Sequence, residues 1–232
     1  MLPKTNYGSN IGLVKEATLI NQDSLKLIGE SGVIGIIRIQ TVEDLLAIAG
    51  ALHRGGLNCL EITMNTPGAL RAIESAREKL PQVLLGAGTV LDAISAREAI
   101  LAGAQFLVTP TVKLDVLEVA HRYGVSAIIG AMTPTEILTA WEAGADLVKV
   151  FPASVLGPKY LQQIHGPLPQ IPLVPTGGIT ADNAGDFIRA GAAAVCVGSW
   201  LVDKKAIAER RFEVLTERAH QLVEAVRKAR EG

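Results

Sequence analysis

The 232-residue sequence predicts an α/β fold of the (β/α)₈ class, a TIM barrel in which eight parallel strands alternate with eight helices. Two observations support this prediction. From residue 32 onward, a short apolar run, a turn and an amphipathic segment repeat along the chain. The length also fits, because barrels of this class reach about 200–250 residues as one domain. A doubly wound open sheet is the alternative arrangement for the same alternation.

Each predicted strand is an apolar run bounded by turn residues. The strands are predicted at 33–38, 59–63, 83–86, 106–109, 127–129, 147–151, 173–175 and 194–198. Predicted helices start at capping residues such as Thr41, Thr133 and Thr180, and several end at a glycine such as Gly103 or Gly144. The helices are predicted at 42–53, 67–79, 92–102, 113–123, 134–143, 158–164, 181–190 and 204–229.

We expect one barrel domain over residues 1–232, because no linker or low-complexity segment interrupts the repeat. Residues 1–24 precede the first strand and are predicted to form an N-terminal extension. The apolar residues at 19–20 and 25–28 predict a helix that packs over the N-terminal end of the barrel.

Charge and composition favour a small-molecule substrate. Lysine and arginine number 22 against 23 aspartates and glutamates, so no basic excess favours nucleic acid or an anionic membrane. The sequence lacks both a run of roughly 18 apolar residues and an apolar signal-peptide core near its start, which predicts a cytoplasmic protein. Cys59, Cys196 and the four histidines show no metal-ligand spacing, so we expect reduced thiols and no metal.

Lys149 is the most informative residue, because it stands inside the apolar run of the sixth predicted strand. Burying an ammonium group costs several kcal/mol unless it is paired. One interpretation is a structural lysine that is neutralised by a carboxylate or that reaches solvent at the strand end. The other is an amine nucleophile that forms a Schiff base with a carbonyl substrate.

Glu61 lies in the second predicted strand, where alternation places it on the same face as Cys59 and Thr63. It is either a structural ion-pair partner or a general acid/base opposite Lys149. A carboxylate in direct contact with a lysine favours the ammonium form, which is not nucleophilic. We therefore expect a bridging water between the two groups or a protonated Glu61.

Glycine-containing turns follow the seventh and eighth predicted strands, at 175–180 and 197–200. In a barrel these turns lie at the C-terminal face, where backbone N–H groups and helix N-termini bind phosphate. A tight turn without a ligand is the alternative for each of these two turns alone. The turn at 86–90 adds the hydroxyl of Thr89 at the same face, or else a simple helix cap.

Together these motifs resemble those of the 2-keto-3-deoxy-6-phosphogluconate (KDPG) and 2-keto-3-deoxy-6-phosphogalactonate (KDPGal) aldolases, which are class I pyruvate aldolases. The matching segments span about residues 25–202 in the family's order. They are Leu60-Glu-Ile-Thr63, Gly86-Ala-Gly-Thr-Val90, Gln105-Phe-Leu-Val-Thr-Pro110, Lys149-Val-Phe-Pro-Ala153, Pro175-Thr-Gly-Gly178 and Gly198-Ser199. The resemblance implies a barrel enzyme that cleaves a 2-keto-3-deoxy-6-phospho sugar acid to pyruvate and glyceraldehyde 3-phosphate.

The resemblance also implies roles for individual residues. Lys149 is the implied Schiff-base lysine and Glu61 the implied general acid/base. Thr89 and Pro110 are implied at the pyruvate end of the substrate. The phosphate is implied to lie at Gly177, Gly178, Gly198 and Ser199. The family implies no metal or organic cofactor and a homotrimer.

One departure concerns the substrate carboxylate. Some members of the family carry an arginine at the position of Asn65, whereas this chain has an arginine, Arg38, at the end of the first predicted strand. That combination resembles the KDPGal branch and predicts that Arg38 binds the carboxylate. An ion pair of Arg38 with Glu43 or Asp44 is the alternative.

Three other functions remain open from the sequence. Cleavage of 4-hydroxy-2-oxoglutarate belongs to the same reaction class but needs no phosphate site. A phosphosugar isomerase or epimerase would use the phosphate site without a lysine on the sixth strand. A non-catalytic phosphate-binding barrel would need neither Lys149 nor Glu61.

Overall fold

The structure, a computed structural model, describes residues 23–38 and 44–232. Its strands are β1 (Val33–Ile37), β2 (Cys59–Thr63), β3 (Leu84–Gly88), β4 (Phe106–Val108), β5 (Ser126–Ala131), β6 (Leu147–Val150), β7 (Leu173–Pro175) and β8 (Val195–Val197). Its helices are α1 (residues 23–31), α2 (Leu45–Arg54), α3 (Ala69–Lys79), α4 (Ala93–Leu101), α5 (Leu114–Tyr123), α6 (Pro134–Glu142), α7 (Ala153–His165), α8 (Ala181–Arg189), α9 (Lys204–Ala208) and α10 (Glu213–Glu231).

The eight strands form one parallel sheet in the order β7-β6-β5-β4-β3-β2-β1-β8. A parallel bridge between Thr176 and Cys196 joins the two ends of this order. The N–H of Ala193 also donates to the carbonyl of Leu173 at 2.9 Å, so β7 and β8 are neighbours and the ring closes. The predicted (β/α)₈ barrel is confirmed, and the doubly wound open sheet is wrong.

Two apolar layers hold the barrel together. The outer layer lies between the sheet and the surrounding helices. The inner cluster fills the barrel and comprises Ile28, Ile34, Cys59, Leu84, Phe106, Val108, Ile128, Leu147, Val174, Ala194 and Cys196. Ile28 is 1% exposed and comes from α1, which therefore packs against the N-terminal end of the barrel. Of the predicted extension at 1–24, residues 1–22 lie outside the described residues.

Local sequence signals explain where several helices begin. Thr133 caps α6 in a capping box with Glu136, and Thr180 caps α8 in a capping box with Asn183. Each box satisfies backbone N–H groups that the first helical turn leaves unpaired. Thr41, the predicted start of the next helix after β1, lies outside the described residues.

Two predicted helices differ from the structure. The predicted helix at 204–229 is two helices, α9 and α10, because Arg210 adopts a left-handed conformation (φ 53°) that no α-helix continues through. The predicted helix at 158–164 begins earlier, at Ala153, and Gly157 interrupts it with a non-helical conformation. A first helical turn therefore follows β6 almost directly.

Candidate active site

Glu61 and Lys149 point into the barrel, because each lies two residues beyond a member of the inner cluster. On β2 that member is Cys59, and on β6 it is Leu147. Alternate residues of a strand face the same side of the sheet. Since β2 and β6 are four strands apart in the closed ring, their inward side chains approach one another from opposite walls.

Lys149 is 6% exposed and lies in register between Gly130 of β5 and Val174 of β7. Its Nζ is 5.5 Å from the centroid of the Phe151 ring, which is 40% exposed and borders the opening of the barrel. No carboxylate oxygen within residues 23–38 and 44–232 lies within 4.0 Å of this Nζ. A direct ion pair with a structural carboxylate, the alternative for this lysine, therefore does not occur among those residues.

The Glu61 carboxyl is buried on the opposite wall, with 1% of the residue exposed. Burial raises the pKa of Glu61, against the opposing effects of the positive charges of Lys149 and Arg38. Its Oε2 has no hydrogen-bond partner among the described residues. Buried carboxyl oxygens are normally hydrogen-bonded, so this atom is available to a water or a substrate.

Gly88 makes room for this carboxyl. A Cβ on Gly88 would lie 1.6 Å from Glu61 Oε1 and 2.1 Å from the carboxyl carbon. Glu61 and Gly88 are on neighbouring strands, where Glu61 pairs in register with Gly86 and Thr63 pairs with Gly88. The side chain of Glu61 therefore leans along β3 toward the C-terminal end of the barrel.

Arg38 follows β1 and is exposed. Its charge is close enough to Glu61 to influence the pKa of that carboxyl, so the two groups share the same end of the barrel. Of the two alternative partners for Arg38, Asp44 pairs instead with Arg210 at 3.3 Å, and Glu43 lies outside the described residues.

Thr89 and Pro110 follow β3 and β4 at the same end. Thr89 has a left-handed backbone conformation, with φ 56°, which is rare for a β-branched residue and turns the chain sharply after β3. Pro110 lies against β5, where a Cβ on Gly130 would be 2.3 Å from its carbonyl carbon. Gly130 therefore lets the loop after β4 approach the strand beside Lys149.

Gly177 and Gly178 follow β7 with φ of 100° and 69°, conformations that favour glycine. A Cβ on Gly177 would be 3.5 Å from the Phe151 ring, and one on Gly178 would be 2.5 Å from the Cβ of Ser154. The loop after β7 is thus packed against Phe151, just after β6, and against the first turn of α7. Helix α8 begins at Ala181, so its N-terminus is close to both glycines.

Gly198 and Ser199 follow β8, and Ser199 is exposed. The next helix, α9, begins at Lys204, the predicted start, so these two residues do not lead directly into a helix. A turn at 199–201 intervenes. The carbonyl of Gly198 accepts hydrogen bonds from the N–H groups of Leu201 and Val202, both at 2.9 Å, which explains the turn.

Three neighbours of the site, Phe151, Gly88 and Cys196, had no predicted role in it, although the first two lie in the quoted motifs. Burial, and then the charge of Glu61, raise the pKa of Cys196 to about 12, so its thiol stays neutral. The alternation of glycine with alanine at 86–88 was a signal for close approach, but only the structure identifies the Glu61 carboxyl as the neighbouring group.

The described residues contain neither a cluster of metal ligands nor a membrane-spanning helix. Within 23–38 and 44–232, no group of three or more histidine, cysteine, aspartate or glutamate side chains is placed to hold a metal ion. In the same part of the chain, every helix is too short or too polar to cross a bilayer.

Comparison with known proteins identifies the family. Residues 25–217 match the family model described as KDPG and KHG aldolase. A 2-dehydro-3-deoxy-phosphogluconate aldolase from Treponema pallidum is 37% identical over 195 residues, which cover 84% of this chain and 93% of that relative. The chain belongs to the KDPG and KHG aldolase family.

Two solved structures support the assignment. The native KDPGal structure has a TM-score of 0.81 at 33% identity. The match covers 86% of this chain and 96% of the KDPGal chain. KDPG aldolase from Legionella pneumophila, in which pyruvate was captured as a covalent carbinolamine, has a TM-score of 0.80 at 32% identity. The match covers 86% of this chain and 97% of that chain. The resemblance to KDPG and KDPGal aldolases that the motifs suggested is confirmed.

Proposed function

We propose that this member of the KDPG and KHG aldolase family is a class I aldolase that cleaves a 2-keto-3-deoxy-6-phospho sugar acid to pyruvate and glyceraldehyde 3-phosphate. The observation that carries the proposal is the pair of inward, buried side chains on β2 and β6, Glu61 and Lys149. A phosphosugar isomerase or a binding protein has no use for a buried lysine that no described carboxylate neutralises.

In the proposed reaction, the Nζ of Lys149 attacks the C2 carbonyl of the substrate and forms a carbinolamine. Loss of water then gives an iminium, which accepts the electron pair of the C3–C4 bond. As that bond breaks, the C4 hydroxyl loses its proton and glyceraldehyde 3-phosphate leaves. Protonation of the remaining enamine at C3 and hydrolysis of the iminium release pyruvate and restore the amine. No metal or organic cofactor is required, because the iminium is the electron sink.

Glu61 is assigned two proton transfers of this scheme, to the carbinolamine oxygen and from the C4 hydroxyl. The proton that it takes from the C4 hydroxyl is then available for C3 of the enamine. Burial raises the pKa of its carboxyl, which favours the protonated acid in the resting site. The acid gives its proton to the carbinolamine oxygen as water departs. The iminium then places a positive charge nearby, which favours the carboxylate that removes the C4-hydroxyl proton. The Oε2 atom, which has no hydrogen-bond partner among the described residues, can take part in this exchange.

The remaining candidate residues are assigned to substrate binding. Arg38 is proposed to bind the carboxylate, and its positive charge near Glu61 supports that role. Thr89 and Pro110 are proposed at the pyruvate end. The phosphate is proposed to bind at the loops after β7 and β8, through Gly177, Gly178, Gly198 and Ser199.

We also propose a cytoplasmic homotrimer. Three large apolar side chains are exposed at and before α4: Leu91 is 51%, Ile94 is 74% and Leu101 is 61% exposed. Ile94 and Leu101 are seven residues apart and therefore on one face of the helix. An apolar helix face of this kind is typical of a surface that another subunit covers.

Borohydride trapping tests the proposed reaction. Incubation with pyruvate and sodium borohydride should inactivate the enzyme and add one reduced pyruvyl group to Lys149, as measured by peptide mass spectrometry. Lys149→Ala should show neither cleavage nor the adduct. Lys159, which is exposed in α7, is a matched control position and should remain unmodified. An adduct on Lys159, or no adduct at all, would contradict the proposal.

The substrate itself is tested by a comparison of kcat/KM values. We expect the gluco and galacto forms of the phosphorylated keto acid to be cleaved better than 4-hydroxy-2-oxoglutarate, since only the phosphorylated substrates use the loops after β7 and β8. Equal kcat/KM values for all three substrates would contradict the phosphate assignment while leaving the Schiff-base chemistry intact.

A further inference from the structure

The loop between β8 and α9 is held from outside the barrel by one arginine of the C-terminal helix. Arg218 of α10 donates a hydrogen bond from Nη1 to the backbone carbonyl of Trp200. Its Nη2 lies 2.9 Å from the Asp203 carboxylate, and its guanidinium carbon is 5.5 Å from the centroid of the Trp200 indole. One guanidinium therefore makes three separate contacts to a six-residue loop.

The same loop carries Gly198 and Ser199 of the proposed phosphate site. Two other residues hold this loop in place. Leu201 is fully buried, and Asp203 caps α9 by accepting a hydrogen bond from the N–H of Ala206 at 2.8 Å. Ser199 and Trp200 come just before Leu201 in the chain. The Gly198 carbonyl closes the turn around them, and Trp200 also packs against the core. Arg218 adds a charged side chain from another element, which holds the turn through the carbonyl of Trp200.

The interaction is partly shielded from solvent. The side chains of Arg218 and Asp203 are 28% and 27% exposed, whereas most ion pairs of α10 and its surroundings are more open. Shielded charge pairs with good geometry are more effective than exposed ones, whose contribution is small. The family match ends at residue 217, so Arg218 lies just beyond the part of the chain that the family model covers.

We propose that Arg218 is a positioning residue for phosphate recognition, acting through the loop at 198–203. The inference rests on the proposed function, because it assigns the phosphate group of the substrate to this loop. By holding the Trp200 carbonyl and Asp203, Arg218 fixes the orientation of the backbone N–H groups and the hydroxyl around Ser199 before the substrate arrives. Preorganised groups bind a ligand more tightly, since less freedom is lost on binding.

The test compares KM values for substrates with and without a phosphate. In Arg218→Ala, KM for the phosphorylated keto acid should rise about tenfold, while kcat stays within about twofold of the wild-type value. KM for 4-hydroxy-2-oxoglutarate, which has no phosphate, should be unchanged, and so should trapping of pyruvate by borohydride. Inhibition by inorganic phosphate should weaken by a similar factor to the rise in KM.

Two further variants make the result specific. Arg227→Ala is the matched control, because Arg227 lies on the same helix and forms exposed ion pairs with Glu224 and Glu231. It should leave every KM unchanged. Arg218→Gln retains one donor for the Trp200 carbonyl but no charge for Asp203, and should raise KM for the phosphorylated substrate by a smaller factor. It carries the test if the alanine variant does not fold.

Unchanged KM for the phosphorylated substrate in the folded Arg218 variants would overturn the inference, as would an equal rise for both substrates. Failure of the proposed function has a different signature. In that case the wild-type enzyme itself would cleave neither substrate or would show no preference for the phosphorylated one.

Discussion

At the scale of single residues, the candidate site contains two ionisable side chains buried inside the barrel, Glu61 and Lys149. Lys149 is bordered by the ring of Phe151, and an aromatic face attracts a cation by about 0.5–2 kcal/mol. The iminium of the proposed reaction is such a cation. Glu61 on the opposite wall has a raised pKa because of burial. The interior thus combines the Lys149 side chain, a carboxyl group whose protonated form burial favours, and an aromatic ring that attracts positive charge.

Glu61→Gln tests the role of the acid. The amide has the shape of the neutral carboxyl but cannot exchange a proton, so the fold should survive and kcat for cleavage should fall by about 10²–10⁴. Steady-state kinetics and circular dichroism measure the two effects. Adduct formation with pyruvate should become slower but still occur at Lys149. A wild-type kcat would show that Glu61 is structural.

Arg38→Ala tests carboxylate binding. Pyruvate and the full substrate share the carboxylate, so loss of a charge-assisted hydrogen bond worth about 1.5–3 kcal/mol should raise KM for both by similar factors, roughly tenfold to two-hundredfold. Arg210→Ala, which removes the exposed partner of Asp44, is the control and should leave both constants unchanged. If Arg38→Ala lowers thermal stability without changing pyruvate binding, Arg38 is a structural residue of the barrel rim.

At the scale of secondary-structure elements, β3 is shaped by its neighbours. Gly86 faces the ring of Phe106, where a Cβ would lie 2.4 Å from ring atoms, and Gly88 faces the Glu61 carboxyl. Neither position has room for a side chain. Gly86 leaves room for the Phe106 ring of the inner cluster, and Gly88 leaves room for the Glu61 carboxyl. The missing side chains at the two glycines of β3 therefore leave the space that Phe106 and Glu61 occupy.

Gly88→Ala should displace the Glu61 carboxyl and lower kcat by about 10²–10⁴, the range expected for loss of a positioned acid/base. In a Glu61→Ala background the same substitution should change kcat less than about threefold, because the group that it displaces is already absent. Gly50→Ala in α2, where a Cβ meets only Arg54 at 3.6 Å, controls for glycine replacement in general. Equal losses in both backgrounds would contradict this positioning.

At the scale of the whole molecule, the closed barrel leaves an apolar surface on its outside. Most apolar side chains of the described residues lie in the inner cluster or in the layer beneath the helices. Ile94 and Leu101 of α4 do not, and neither does Leu91 just before it. Burial of apolar surface contributes about 25 cal/mol per Å², so covering this face by another subunit would stabilise an assembly.

The proposed homotrimer predicts a mass in solution of three chains, each of 24.5 kDa, by light scattering. Ile94→Asp should shift the mass toward a single chain, because a buried, unpaired carboxylate would oppose association. Leu27→Asp, on α1 at the N-terminal end of the barrel, is the matched control for a charge introduced at an exposed leucine and should leave the mass unchanged. A wild-type mass of one chain would exclude the trimer.

The sequence alone determined the elements and the chemistry that they carry. Apolar runs bounded by turn residues predicted β2 and β7 at the bounds that the structure has, since the pattern of one strand is local. An ionisable residue in such a run, as at Lys149 and Glu61, is costly to bury and therefore identifies a candidate site without any structure. Helix ends were predicted less well where a left-handed residue such as Arg210 had no glycine to indicate it.

Only the tertiary structure decided which of these groups meet. The bridge from Thr176 to Cys196 closes the ring, and closure brings Glu61 and Lys149 in from opposite walls. The contact of Glu61 with Gly88 and that of Arg218 with the loop after β8 likewise join parts of the chain that are distant in sequence. The physical reason is that periodicity encodes which way a side chain faces within its own element, whereas a neighbour across the barrel is set by how all eight strands pack and close.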